Sequence, residues 1–119
     1  MRRKPGTLLS LELSILEAGL AFRRRGIAEC HGFLLAKEIK AQEDARLLTA
    51  YGTLYKALDR MERAGLLVSR WEDPLIAAAE NRPRRRLYQV TLAGEKALAN
   101  ARAAAGRQAM RLEPGQATS

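Results

Sequence analysis

At 119 residues, with 47% hydrophobic and 29% charged side chains, the chain has the size and composition of one soluble globular domain. A net charge of +8 and a pI of 10.4 make nucleic acid the default partner, because excess positive charge concentrates polyanions around a small domain. The single cysteine excludes an intramolecular disulfide framework and fits a cytoplasmic location, and no apolar run reaches the ~18 residues of a membrane span.

Residues 1–7 read as a flexible basic arm, and Glu12 and Glu17 follow it too soon for a signal peptide. From Leu8 to Arg25 the polar residues are spaced for a helix, with Leu9, Leu13, Leu16 and Leu20 on one face. Arg23, Arg24 and Arg25 fall in its last turn, where cations complement the helix dipole, and Gly26 supplies a left-handed cap. That run reads as structural first and DNA-facing second. A second helix is predicted from His31 to Gln42 with Leu35, Ala36 and Ile39 inward, then a minor strand at 45–48. Thr49 is a good N-cap for a third helix, Ala50 to Ala64, closed by Gly65. Its core stripe is Leu54, Leu58 and Met61.

After Gly65 the period falls to two. Leu67 to Glu72 and Arg86 to Val90 read as strands joined by a polar, Pro-containing connection from Asp73 to Arg85, a hairpin with an extended tip. Thr91 caps an Ala-rich last helix from Leu92 to about Met110, and residues 113–119 form a disordered tail by composition.

This order gives a mainly α fold with a small β-hairpin wing: a winged helix-turn-helix over 8–91, plus a C-terminal dimerisation helix over 92–112. In such a fold the third helix enters the major groove and the wing reaches the adjacent backbone or minor groove. Opposite its core stripe the third helix offers Thr53, Lys56 and Arg60 at i, i+3 and i+7. Thr49, Tyr51 and Gly52 occupy its first turn, where backbone N–H groups and short side chains approach phosphates. Gly52 costs about 1 kcal/mol against Ala, which close packing against its backbone would explain. On the wing, Arg82, Arg84, Arg85 and Arg86 place four guanidinium forks within five residues.

With aromatic residues at only 5%, Leu and Ala fill most of the core, and a thin core gains from a partner chain. In the last helix Leu98, Ala101, Ala105 and Leu112 form a coiled-coil-like seam. Leu9, Leu13 and Leu16 are expected to pack across it from the same or the other chain. A two-fold homodimer would present two recognition helices to half-sites about one helical turn apart.

The segment from Tyr51 to Leu67, YGTLYKALDRMERAGLL, resembles the signature of the PadR-like family of bacterial transcriptional regulators. The stretch from Arg82 to Gly94, RPRRRLYQVTLAG, resembles that family's wing and strand-to-helix junction; Ile15-Leu16 and His31 to Ile39 also match in order. The resemblance runs from Leu13 to Leu98. It implies a winged-helix dimer, usually a repressor, whose C-terminal helix supplies much of the dimer contact. It also implies that Tyr55, Lys56, Arg84 and Arg85 lie near the DNA backbone. Two departures stand out. The tip from Leu75 to Ala79 is more apolar than a typical wing, and the last helix has no Trp or Phe to form an aromatic drug pocket.

Cys30 and His31 alone cannot make a zinc site, which takes about four ligands, and no cofactor is implied. Cys30 is expected to be a small buried hydrophobe rather than a redox sensor. No nucleophile–base set suggests an enzyme. Trp71 is expected to pack on the domain body, or else to border a ligand cleft. The sequence thus favours a sequence-specific DNA-binding repressor working on a palindromic operator. A winged-helix protein adaptor and a non-specific nucleic-acid binder are the alternatives, and a small-molecule effector is left open.

Overall fold

The computed structural model describes residues 8–42 and 51–111. Helix α1 (Ser10–Arg24) starts where Glu12 Oε1 accepts a hydrogen bond from the Leu9 N–H at 2.8 Å. It stops at Gly26, whose φ of +88° lets the Ile27 N–H reach the Phe22 carbonyl at 2.9 Å. Two of the three arginines at that end are engaged within the fold. Arg23 bonds Glu95 at 2.7 Å and the Val90 carbonyl, and Arg25 pairs with Glu38 at 2.9 Å while standing over the Phe22 ring.

Helix α2 (Gly32–Gln42) and helix α3 (Tyr51–Arg63) pack on α1. Their shared core contains Ile15, Leu16, Leu35, Leu54, Leu58 and Met61, each at most 3% exposed. The predicted inward residues of α2 and α3 lie on the buried side, with Ala36 half-buried. In α1 the buried face is rotated from the predicted stripe: Ile15, Leu16, Ala18 and Phe22 are buried, while Leu13 and Leu20 are half-buried. Apolar residues flank α1 on two sides, so periodicity alone could not choose the core-facing one.

At the end of α3, Gly65 has φ +80°. Its N–H bonds the Glu62 carbonyl at 3.0 Å, and Leu66 N–H bonds that of Met61 at 2.9 Å. A side chain there would be forced into the left-handed region. Strands β1 (Leu67–Trp71) and β2 (Arg86–Val90) then pair antiparallel, from Leu67 opposite Val90 to Trp71 opposite Arg86. Cys30 adds a third edge, donating to and accepting from Tyr88 at 3.0 and 2.8 Å. The strand predicted at 45–48 lies outside the described residues, as do Thr49, Leu112, the arm 1–7 and the tail 113–119.

The Asp73–Arg85 connection is not a bare loop. It contains helix α4 (Pro74–Ala79), started by the Asp73 carboxylate accepting from Leu75 N–H at 2.8 Å and by Pro74 in the first turn. Proline has no N–H to lose there and its φ suits the helix. Asn81, at φ 53°, closes it through the Arg82 N–H bond to the Ala77 carbonyl at 3.1 Å.

Helix α5 (Leu92–Arg111) is capped by Thr91, whose Oγ1 accepts from Gly94 N–H at 3.1 Å and donates to the Gly65 carbonyl at 2.6 Å. Its first turns pack on α1 and β2, and residues 102–110 are exposed. Two proposed seam residues therefore belong to the chain's own core: Leu16 is 0% and Leu98 1% exposed. Leu13 and Ala101 are half-buried, while Leu9 and Ala105 are exposed. Among the described residues no helix is long and apolar enough to cross a membrane.

Candidate nucleic-acid interface

The outer face of α3 presents Gly52, Thr53 and Lys56, all exposed, and Lys56 makes no ion pair among the described residues. Nothing lies within 4 Å of where a Cβ on Gly52 would sit. The close packing expected at Gly52 is therefore absent within the described chain. Tyr51 and Tyr55 are 50% and 44% exposed. Tyr55 leans back over the start of α2, its Cζ 2.6 Å from the place a Cβ on Gly32 would take, so only glycine fits beneath the ring.

Arg60 is exposed as well, but its side chain is tied inward. Its Nε reaches the buried carboxylate of Glu12 at 3.2 Å, fastening α3 to α1. A buried charge needs a partner, so this arginine has a structural role in the fold. Arg63 likewise pairs with Asp59 along the helix.

A residue that sequence reasoning passed over lies beside the start of α3. Phe33 is 50% exposed and stacks on Tyr51 at 6.4 Å and on His31 at 6.3 Å between ring centroids. Lys37 Nζ stands 5.6 Å from the Phe33 ring centre. The signal was its place at the start of α2, where Leu35 and Ile39 define the buried side and leave Phe33 outside. Burial, then the positive charges of Arg85 and Arg82, hold the His31 pKa below its ordinary value. Burial pushes the Cys30 thiol up to about 11, so it is a protonated core residue at neutral pH.

The wing divides the four arginines. Arg82 is only 17% exposed and clamps Glu72 through two bonds of 2.7 and 2.9 Å, with Glu80 at 2.8 Å. It is an internal tie between the strand end and the residue that follows α4, so its guanidinium is already engaged within the wing. Arg85 extends the clamp through its main chain, since the Glu72 N–H donates to its carbonyl at 2.9 Å. Its side chain is half-buried and makes no ion pair among the described residues. Arg84 is exposed; Arg86 is half-buried, with its Nε 2.9 Å from Ser69 Oγ, which in turn donates to Glu62 of α3 at 2.7 Å. Trp71 is 52% exposed, so it does not pack into the domain body. Leu75 and Ile76 on α4 are 77% and 50% exposed.

The clamp has a pH signature. The Arg82 hydrogen bonds, helped by the Arg85 N–H, hold the Glu72 carboxyl down to about 2 from an ordinary 4.5. A folded-state value below the unfolded one stabilises fully above the unfolded value and fades as pH falls through the folded one. Wild type should therefore exceed Glu72→Gln in melting temperature at neutral pH, with the gap closing between about pH 4.5 and 2. A constant gap in parallel thermal melts would show that the pair does not titrate in this way.

The family model for the transcriptional regulator PadR-like family matches residues 26–100. No match is found among curated proteins. A PadR family transcription regulator from hypervirulent Clostridium difficile has a similar structure, with TM-score 0.65 and 21% identity, covering 92% of this chain and 98% of its own. A PadR-like transcription factor from Bacteroides fragilis aligns with TM-score 0.65 and 24% identity over 87% of this chain and 86% of its own. Bordetella bronchiseptica BpsR, whose DNA binding is regulated by 6-hydroxynicotinic acid, aligns with TM-score 0.59 and 18% identity over 95% of this chain and 70% of its own.

Proposed function

This chain belongs to the PadR-like family of transcriptional regulators, and from that premise we propose a sequence-specific repressor, without catalytic activity, that binds a palindromic operator as a homodimer in the cytoplasm. The observation that carries the reading is the outer face of α3, where Lys56 and Thr53 are exposed above a core stripe that fixes which way the helix faces. Arg84, Arg85 and Arg86 on the wing support it by adding a second cationic contact. Such a division suits base reading by the helix and backbone positioning by the wing.

Dimerisation is proposed along the groove between α1 and α5, a space of about 330 Å³ lined by Leu13, Glu17, Ala101 and Ala105 among others. The exposed second half of α5 is the surface a partner would cover. The response of BpsR to a small aromatic acid supports an effector for this chain too.

Lys56→Ala tests the helix assignment. It should weaken binding to the operator while leaving the melting temperature unchanged, because the side chain is exposed and unpaired among the described residues. Fluorescence anisotropy beside a thermal melt reads both. A lowered melting point with intact DNA binding would show that α3 faces the other way.

A further inference from the structure

Trp71 ends β1 directly opposite Arg86 of β2. Strand alternation places it on the face of Leu67 and Ser69, but unlike Leu67 it is half in water and no part of the core. What stands over its ring is charge: the Arg84 and Arg86 guanidinium carbons lie 5.3 and 5.2 Å from the ring centre. The face of an indole attracts a guanidinium and orders it. Two like charges over one ring nevertheless repel each other, and a polyanion would relieve that repulsion. The adjacent Arg82 is sealed by Glu72 and Glu80, whereas Arg84 makes no ion pair among the described residues and Arg86 meets only the more distant Glu62, at 3.8 Å.

We propose that Trp71 is a positioning residue that presents Arg84 and Arg86 as one preassembled unit for the sugar–phosphate backbone of double-stranded DNA. The inference rests on the DNA-binding reading above. Arginine carries a flexible stem, and holding two of them in place before contact removes part of the ordering cost of binding. The Ser69–Glu62 connection then sets that unit at a fixed distance from α3. The contact is with phosphates, so it acts on every sequence alike.

The test uses the whole 119-residue chain, in which Trp71 is the only tryptophan. Titration with a random-sequence duplex should change the indole emission with the same Kd that anisotropy gives. Trp71→Ala should bind about tenfold more weakly at low salt. Its log K against log salt line should be shallower by up to about one unit per displaced arginine. Trp71→Phe, which keeps a ring face, should recover most of both. A purely structural tryptophan would instead lower the melting point and leave the salt slope alone. Emission that stays constant while wild type is saturated with duplex overturns the proposal, and so does a Trp71→Ala protein with wild-type affinity and slope. If wild type binds no duplex at any salt, the regulator reading falls and this inference falls with it.

Discussion

Replacing Leu58 by Ala lowers the unfolding free energy by ~2–5 kcal/mol, the range found for large apolar side chains truncated in a packed core. Leu58 is 0% exposed and sits on α3 between Leu54 and Met61, where α1 and α2 converge. The loss combines the removed apolar contact with the cavity left behind, since neighbours such as Ile15 and Leu35 are held by their own helices. Stability of this small domain is itself only about 5–15 kcal/mol, so the variant should lose much of its margin. Urea unfolding at one fixed protein concentration measures the change, because association would otherwise shift the midpoint. A midpoint within error of wild type would mean that α3 is not seated through this face.

Ala105→Glu should dissociate the proposed dimer and reduce operator affinity by ~100-fold or more, the usual gain from linking two binding sites. Ala105 is the informative position. It lines the groove with Leu13 and Glu17 yet is exposed in the single chain, so a carboxylate there leaves the monomer fold undisturbed. In a dimer the same carboxylate would be buried beside the partner, and the cation nearest it in the groove, Arg102, is already paired with Glu17 at 3.1 Å. Ala101 is a less clean choice, because it is already half-buried against the chain's own α1. Sedimentation velocity on wild type and variant, with gel shifts alongside, separates assembly from binding. A wild-type protein that sediments as a monomer at tens of micromolar refutes the premise.

Local signals were the legible part of this fold. Gly26, Gly65 and Thr91 end or begin helices as their chemistry requires, because each acts on its own backbone. The hairpin followed from alternation at Leu67–Trp71 and Arg86–Val90. Helix α4 could have been read from Asp73-Pro74 and the alanines that follow, a capping acid, a first-turn proline and strong helix formers. The hairpin pattern on either side hid it. The Cys30 bridge to Tyr88 spans 58 positions and leaves no periodic trace. Spacing likewise groups Leu98 with Ala101 and Ala105 but cannot say that Leu98 is already buried within its own chain.

The candidate site was legible as a set of residue types and illegible as a set of pairings. Arg60 and Arg82 look identical in sequence to Lys56 and Arg84 as DNA-seeking cations. Only the fold brings Glu12 to one and Glu72 to the other.

Helix α3 is held on both flanks, by Glu12–Arg60 toward α1 and by Glu62–Ser69–Arg86 toward the wing. It cannot tilt or slide without breaking one of these ties, so in the proposed complex helix and wing would meet a duplex as a single stiff die. Accommodation then falls on the other partner. A site that bends and twists cheaply into the shape of the die gains over one that resists, even at base pairs no side chain reads.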